Sequence, residues 1–339
     1  MSIENYKKFE DFNNYPLIHY LNYGLFFAYE SKIIEAFFHE PMTVGECAKT
    51  VNIPERTAEP LVLLLVHLGY LKVVNDNESF TKYGISDTGS LLFKPDGPYC
   101  VGDQIFCDLT MGMASYDDFK NLILRSHVDS DVFSETSVSS EKAEIFNKAM
   151  HSHSYVLSRI WPTKIEPLED GVFLDIGSGT GTHSAAAAEF FPKLKFLLFD
   201  LSKPNYHAAK FWKSKKEDLA CKMNFVDGDM WTTPFPVANF HFYSNVFHDY
   251  TLKECDILAE KSYSSLGSGS RIIVLELPLD RKKPSLIPCL YSLSMLEWTK
   301  GKQHSESDIV GILEKSGFCD IKIIDLDFSG YKIFIGNKL

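Results

Sequence analysis

The segment Val172–Thr182, with the sequence VFLDIGSGTGT, decides the fold. Its first residues predict a buried strand, Val172–Ile176, and the small residues of His183–Phe191 predict a helix. Three glycines lie between them: Gly177, Gly179 and Gly181. Glycine adopts positive φ angles and lets the backbone approach a ligand closely. Because the N-terminus of the helix points unpaired N–H groups into the same space, the segment predicts a ligand-binding strand–turn–helix unit.

The glycine spacing narrows the type of ligand. Thr182 occupies the position of the third glycine of a dinucleotide fingerprint, and no Gly-Lys-Ser/Thr of a phosphate loop follows. With Asp175 in the strand, the pattern resembles the D-x-G-x-G-x-G motif of class I S-adenosylmethionine (SAM)-dependent methyltransferases. That cofactor is a sulfonium without phosphate, which suits an acid in place of a phosphate-binding lysine. A generic strand–turn–helix of another α/β protein is the alternative.

Composition excludes several classes of protein. The 339 residues are enough for two domains, and the net charge of −11 argues against a nucleic-acid partner. Seven cysteines without metal-ligand spacing indicate free thiols in a reducing compartment. The N-terminus lacks an apolar signal segment, and the longest apolar run, Leu61–Val66, is too short to span a bilayer. We therefore expect a cytoplasmic protein with no membrane partner and no metal.

The N-terminal part predicts helices followed by a hairpin. We expect helices over 15–39, Val44–Thr50 (with a Thr43–Glu46 capping box) and Arg56–Leu68, then strands Tyr70–Val74 and Ser79–Ser86. This order is a winged-helix pattern. The would-be recognition helix has one arginine and a continuous apolar stripe, so a protein–protein surface, and hence a homodimer, is a better interpretation than DNA binding.

The sequence predicts two domains, and the change in periodicity at Gly171 lies inside the second of them. We expect a dimerisation domain over 1–100 and a methyltransferase domain over 101–339, which begins with a mainly helical segment, 101–165. In that segment, Phe146–Ser154 (FNKAMHSHS) predicts an amphipathic helix in which His151 and His153 are hydrogen-bonded structural residues.

After Gly171 the pattern alternates between strands and helices. Strands are predicted at Val172–Ile176, Lys195–Asp200, Met223–Val226, His241–Phe247, Arg271–Glu276, Ile321–Leu326 and Tyr331–Ile335. Helices are predicted at 181–191, 203–217, 252–266 and Glu306–Ser316. The alternation predicts a parallel sheet, and the hairpin at 327–330 makes one strand antiparallel.

Polar residues follow the predicted strands at the edge where ligands bind. Asp200 ends the second strand and can accept hydrogen bonds from ribose hydroxyls, although it can instead cap the helix that begins at Leu201-Ser202. Asp229 and Met230 follow the third strand and suit an adenine ring, with a solvated turn as the alternative.

A candidate general base follows the fourth strand, where the sequence is NVFHDY. His248 can take a proton from a hydroxyl near neutral pH, although a lone histidine at a strand end is more often structural. Glu276 ends the fifth strand, which this topology places next to the fourth. Its carboxylate can therefore bind the second imidazole nitrogen and favour the imidazolium ion.

Taken together, DIGSGTG, FDLS, DGDMW, FHDY, LELPL and SMLEWTKGKQHS resemble the plant caffeate and animal acetylserotonin type of O-methyltransferases, which include bacterial small-molecule tailoring enzymes. The resemblance covers nearly the whole chain. It implies a class I SAM-methyltransferase (Rossmann-like) α/β fold with a seven-stranded sheet and an N-terminal winged-helix dimerisation domain. It also implies a homodimer whose N-terminal domains exchange, and S-adenosylhomocysteine as product.

The resemblance also implies roles for individual residues. His248 would be the base, supported by Glu276 and Gln303. The residues that would bind SAM are Gly177, Gly179, Asp200, Leu201, Asp229, Met230 and Asn245. The residues that would line the acceptor pocket are Met150, Met295 and Trp298.

Two departures from the family bear on the reaction. Gln303 stands where the family has a second acid, which leaves imidazolium less stabilised, and Ser244-Asn245 stands where a lysine or arginine is common. We expect O-methylation of a small aromatic or enolic hydroxyl, in secondary metabolism. The alternatives are N-methylation, a non-methylating hydroxylase or pericyclase reaction, and a winged-helix regulator that senses SAM.

Overall fold

The computed structural model describes residues 17–77, 80–94, 97, 100–112, 115–124, 133, 139–215 and 221–339. The chain divides into two compact units, Met1–Met111 and Gly112–Leu339. No helix in these ranges is long and apolar enough to cross a membrane. All seven cysteines are free thiols.

The described part of the first unit is helical apart from one hairpin. In chain order it contains α1 (Ile18–Glu30), α2 (Ile33–Ala36), α3 (Val44–Thr50), α4 (Glu55–His67), β1 (Leu71–Asn77), β2 (Phe80–Ile85), α5 (Asp87–Phe93) and α6 (Val101–Met111). The predicted helical stretch 15–39 is in fact two helices, because Lys32 adopts a left-handed φ of 64° between them. The predicted capping box of Thr43 and Glu46 is present at the start of α3.

The core of the first unit explains the apolar stripe in α4. Ala58, Val62 and Leu65 of this helix are fully buried, and Val62 and Leu65 pack in one cluster with Ile33 and Leu71. The strands β1 and β2 pair antiparallel. The stripe therefore serves packing within this unit.

The second unit begins with two helices, and strands and helices then alternate. In chain order it contains α7 (Tyr116–Leu124), α8 (Ser140–Ile160), β3 (Gly171–Ile176), α9 (Thr182–Phe190), β4 (Leu194–Asp200), α10 (Ser202–Lys215), β5 (Met223–Asp227), β6 (Phe240–Ser244), α11 (Leu252–Ser265), β7 (Arg271–Glu276), α12 (Leu286–Trp298), α13 (Glu306–Lys315), β8 (Cys319–Asp325) and β9 (Lys332–Asn337).

The sheet of the second unit has seven strands in the order β5-β4-β3-β6-β7-β9-β8. The strands β3 to β7 are parallel, and β9 runs antiparallel to both β7 and β8, as the alternation and the terminal hairpin predict. The chain moves outward from β3 to β5 and then returns to place β6 on the other side of β3. The carboxyl ends of β3 and β6 thus flank the crevice in which open α/β sheets bind ligands.

Apolar side chains bury both faces of this sheet. On one face, the ring of Trp161 stacks on Phe242 with 4.9 Å between centroids, and Phe173 lies 5.3 Å from Phe196. On the other face, Leu174 and Phe247 belong to a second buried cluster. Burial on both faces leaves the loops at the carboxyl ends of the strands as the places where polar side chains converge.

Two elements differ from the sequence-based expectation. The strand β6 ends at Ser244 rather than Phe247, because Asn245 takes a φ of 53° and Phe247–Asp249 form a short 3-10 turn. Asparagine tolerates this left-handed region better than most residues. The helix α12 was not predicted. Its sequence, LIPCLYSLSMLEW, is apolar nearly all round and gives no helical periodicity.

Candidate active site

The glycines of the loop after β3 have distinct roles. Gly177, Gly179 and Gly181 have φ angles of 70°, 53° and 70°. A Cβ on Gly181 would lie 2.1 Å from Leu198 Cδ2, so this glycine permits close packing of α9 on the sheet. A Cβ on Gly179 would meet no atom within 4 Å. Gly179 therefore allows the positive φ of the loop, and it lies next to open space.

Asp200, at the end of β4, holds this loop. Its Oδ2 accepts a hydrogen bond from Gly179 N at 2.7 Å, and its Oδ1 accepts one from Leu201 N at 2.7 Å. Burial raises the pKa of Asp200 to about 6, although both hydrogen bonds oppose that shift. Each carboxylate oxygen has a further lone pair, so the side chain can still accept from ligand hydroxyls while it fixes the loop.

Asp229, after β5, is bound within its own turn. Its Oδ1 accepts from Trp231 N at 2.9 Å, and its Oδ2 accepts from the Thr232 hydroxyl at 3.1 Å. The turn that was considered as an alternative is thus present. The same hydrogen bonds fix the direction in which the carboxylate points.

The turn after β5 also meets the glycine loop. Met230 Cε lies 3.6 Å from the position of a Cβ on Gly177, and a Val246 methyl lies 3.0 Å from it. Lys261 on α11 holds the turn, because its Nζ donates to the carbonyls of Met230 and Thr233 at 2.6 and 2.7 Å. Lys261 was not predicted from the sequence, because it lies far along the chain from the turn that it binds.

Asp175 does not face the crevice. It is buried, and its Oδ2 accepts from the Ser184 hydroxyl of α9 at 2.6 Å. Burial raises the pKa of this carboxyl to about 7. Asp175 therefore links β3 to α9.

His248 lies in the 3-10 turn after β6, between two carboxylates. Its Nδ1 is 3.1 Å from Glu276 Oε2, and its Nε2 is 3.5 Å from Asp249 Oδ1. Glu276 Oε1 also accepts from the backbone N–H groups of Val246 and Phe247 at 3.0 and 2.8 Å. Burial by itself lowers the pKa of His248, but the charges of Glu276 and Asp249 outweigh it and raise the pKa to about 9.

Gln303 is the third group at the ring. Its Nε2 lies 3.2 Å from His248 Nδ1, and its Oε1 is buried without a hydrogen-bond partner among the described residues. If the hydrogen on His248 Nδ1 is donated to Glu276, Nδ1 has no lone pair left to accept a hydrogen bond from the Gln303 amide. The amide rotated by 180° would instead present its oxygen to Nδ1–H, so Gln303 can support the ring as a neutral acceptor.

The side chain of Asn245 contacts a tyrosine of the terminal hairpin. Its side chain hydrogen-bonds Tyr331, which is buried, and its own Oδ1 is buried and has no partner among the described residues. The neighbouring Ser244 hydroxyl lies 3.0 Å from His183 Nε2. These contacts form a polar cluster at the carboxyl end of β6.

His151 and His153 are hydrogen-bonded, as the sequence analysis expected. His151 Nδ1 lies 2.8 Å from the Thr182 hydroxyl at the start of α9. His153 lies between two tyrosine hydroxyls, with Nε2 3.1 Å from Tyr331 and Nδ1 3.4 Å from Tyr291. Neither tyrosine was identified from the sequence, because each is brought to His153 only by the chain topology.

The residues expected in the acceptor pocket occupy two facing helix surfaces. Met150 lies three residues before His153 on α8, and Met295 and Trp298 lie four and seven residues after Tyr291 on α12. These spacings put each set on one face of its helix. Because His153 contacts Tyr291, the two faces oppose each other, and Met150, Met295 and Trp298 are all half-buried. The helix α12 also contacts the turn of His248.

The crevice suits an organic cofactor. The described ranges contain no group of three or more His, Cys, Asp or Glu side chains that could hold a metal ion. Around the open space at Gly179, the structure assembles a glycine loop, a fixed carboxylate and a thioether. This combination fits a nucleoside with a cationic, phosphate-free substituent.

Comparison with known proteins agrees with this geometry. The model of the O-methyltransferase domain family matches residues 114–319, which is more than half of the chain. Tabersonine 16-O-methyltransferase of Catharanthus roseus is 32% identical over 197 residues, 56% of this chain and 53% of that protein. Human acetylserotonin O-methyltransferase is 28% identical over 149 residues, 44% of this chain and 42% of that protein. In these alignments the chain spans about half the length of each relative.

A solved structure shares the fold over a longer range. The crystal structure of human N-acetylserotonin methyltransferase in complex with SAM superimposes with a TM-score of 0.85 at 21% identity, and covers 99% of this chain and 98% of that one. The fold of this chain is accordingly that of class I SAM-dependent methyltransferases. With the family model matched over most of its second unit, the chain belongs to the O-methyltransferase domain family.

Proposed function

We propose that the chain is a SAM-dependent O-methyltransferase that acts on a hydroxyl of a small aromatic or enolic molecule, with His248 as general base. The observation that carries the proposal is the buried His248, whose Nδ1 is 3.1 Å from Glu276 at the edge of the sheet that carries the glycine loop. A base held by a carboxylate at this edge suits the deprotonation of a bound hydroxyl.

The residues around the crevice would hold the cofactor. Gly177 and Gly179 would pass its amino-acid part, Asp200 and Leu201 would bind the ribose, and Asp229 and Met230 would contact adenine. Asn245 would contribute through its free oxygen. Bound SAM supplies a methyl group that its sulfonium charge already activates, and S-adenosylhomocysteine remains after transfer. The chain then has to position the acceptor oxygen and remove its proton.

The charge state of His248 favours acidic hydroxyls as substrates. A base whose conjugate acid has a pKa of about 9 is nearly matched to a phenol, for which the ordinary pKa is about 10. Deprotonation of an aliphatic alcohol by the same base would be far more unfavourable. Glu276 stabilises the imidazolium that forms, and Gln303 orients the ring without adding charge. The half-buried Met150, Met295 and Trp298 would enclose an aromatic acceptor.

We further infer that the N-terminal region, expected as a winged-helix dimerisation domain over 1–100, mediates a homodimer. Support comes from α1 and the residue before it, where six large apolar side chains are exposed: Leu17, Ile18, Tyr20, Leu21, Tyr23 and Phe27. Exposed apolar surface of this extent is typical of interaction sites. The seven free thiols support a reducing, cytoplasmic location. Analytical ultracentrifugation should give twice the chain mass, and a monomer at micromolar concentration would contradict the inference.

The activity is tested with SAM and a panel of phenols, enols and amines. We expect a product heavier than its acceptor by one CH₂ group, formed together with S-adenosylhomocysteine. His248→Ala should abolish turnover and leave cofactor binding unchanged, while His39→Ala, on the surface of the first unit, should keep full activity. Turnover in His248→Ala equal to that of the wild type would remove the base role. Products formed only from amines, or without a mass gain of CH₂, would instead support the alternatives.

A further inference from the structure

The segment Gly301–His304 packs directly against the turn that carries His248. A Cβ on Gly301 would fall 2.1 Å from the carbonyl oxygen of His248 and 2.5 Å from Tyr250 N. Any other residue at 301 would displace one of the two backbones. The segment and the turn are therefore in contact along the main chain, before any side-chain contact is considered.

The side chain of His304 binds this turn on both sides of His248. Its Nε2 lies 3.0 Å from the carbonyl oxygen of Phe247 and 3.0 Å from that of Tyr250. Carbonyl oxygens only accept, so Nε2 must carry the hydrogen and share it between the two. The ring is 4% exposed, and its Nδ1 has no hydrogen-bond partner among the described residues.

His304 also connects the turn to the strand that carries Glu276. Its backbone carbonyl accepts from Leu279 N at 3.0 Å, three residues beyond Glu276. The Cys255 thiol of α11 provides a second donor to Phe247 O at 3.2 Å, and its sulfur lies at the longer distance of 4.0 Å from Tyr250 O. The turn of His248 and the chain beyond Glu276 are thus joined through one residue.

We propose that His304 is a positioning residue for His248, whose shared Nε2–H bond to the two flanking carbonyls sets the direction of the His248 imidazole toward Glu276. The proposal rests on the proposed role of His248 as base. His304 acts through the backbone of the turn, and its immediate neighbours are the backbone and Cys255 rather than the acceptor pocket. Loss of the bond frees the turn to rotate and lengthens the His248–Glu276 contact.

The test compares two substitutions that differ in the donor alone. His304→Leu fills a similar volume without a donor, whereas the amide of His304→Gln places an N–H near the position of the imidazole Nε2. Nuclear magnetic resonance with ring-labelled histidine follows the titration of His248, which His248→Ala identifies. We expect His304→Leu to lower the apparent pKa of His248 by at least one unit, because a longer contact with Glu276 stabilises the imidazolium less. In His304→Gln the pKa of His248 should return most of the way to the wild-type value.

Activity gives a second measurement. His304→Leu should lower kcat by roughly a hundredfold with the KM for SAM unchanged, and the pH midpoint of kcat should move down with the His248 titration. His241→Leu is the matched control, because His241 is a fully buried histidine of β6 bound to Ser262 on the far side of the strand. It should cost stability and leave the His248 titration unmoved.

A folded His304→Leu protein with the wild-type titration of His248 would overturn the proposal. If that variant does not fold, His304→Asn replaces it in the test, since its shorter amide cannot reach both carbonyls. An unchanged titration of His248 in His304→Asn would also overturn the proposal. The titration of His248 is measured by nuclear magnetic resonance and does not depend on turnover. An inactive wild-type protein would therefore refute the proposed function and leave this test intact.

Discussion

Replacing Glu276 by glutamine should move the pH dependence of catalysis in a direction that the geometry fixes. The groups that face the His248 ring are Glu276, Asp249 and the neutral Gln303, with His153 nearby. The wild-type pKa of about 9 exceeds the ordinary value of 6.5. That difference corresponds to about 3 kcal/mol of net stabilisation of the imidazolium. Only the neutral ring can accept a proton, so the reactive fraction at pH 7 is about 1% and increases roughly tenfold per pH unit toward pH 9.

The amide removes the strongest charge that raises the pKa of His248. It retains the size of the side chain and an oxygen for the N–H groups of Val246 and Phe247. Burial is then opposed by the charge of Asp249 as the remaining carboxylate, and the pKa of His248 should fall below 7. The variant should reach its plateau at lower pH, but the plateau itself should be lower by roughly a hundredfold, since the imidazolium formed in the reaction loses about 3 kcal/mol.

The assay measures kcat from pH 5.5 to 10 at saturating cofactor and acceptor, with S-adenosylhomocysteine as the readout. Glu260→Gln, an exposed change on α11, is the control and should match the wild type. A wild-type midpoint near 6.5, or a Glu276→Gln profile with an unshifted midpoint, would refute the proposed electrostatic coupling of Glu276 to His248.

Three further predictions concern the cofactor site and stability. Gly179→Ala and Gly269→Ala both place a Cβ in open space at positive φ, so each should lower the free energy of unfolding by about 1 kcal/mol in chemical unfolding. Of the two, only Gly179→Ala should weaken SAM binding in calorimetry. Lys261→Met should loosen the turn after β5 and raise the Kd for SAM roughly tenfold, whereas the exposed Lys253→Met on the same helix should not. The pKa of Asp175 is raised in the fold to about 7, so its stabilising contribution is lost as pH rises from about 4 to 7. Asp175→Asn should therefore raise Tm at pH 8 and leave it nearly unchanged at pH 4, and an equal effect at both would contradict the burial argument.

Local patterns predicted the architecture of the second unit well. Glycine spacing, alternation of strands and helices, and the terminal hairpin each depend on neighbouring residues, and the parallel sheet with one antiparallel strand that they predict was confirmed. The helix α12 was not predicted because its sequence has no polar face. The end of β6 was placed three residues late because a positive φ at Asn245 has no pattern of its own.

The site was harder to predict wherever contacts join distant parts of the chain. The strand ends suggested that His248 and Glu276 meet, and the structure places them 3.1 Å apart. By contrast, Lys261, Tyr331 and His304 reach the site from a helix, a hairpin and a loop, and no spacing relates them to the residues that they bind. The roles assigned to the site residues stay predictions until they are measured.

Calorimetric titration of the purified protein with SAM and with S-adenosylhomocysteine tests the central claim most directly. The account predicts saturable binding of both ligands, with one site per chain and weaker binding in Gly179→Ala than in Gly269→Ala. Failure of both ligands to bind the folded wild-type protein would contradict it, because the glycine loop, Asp200 and Met230 would then have no cofactor to hold.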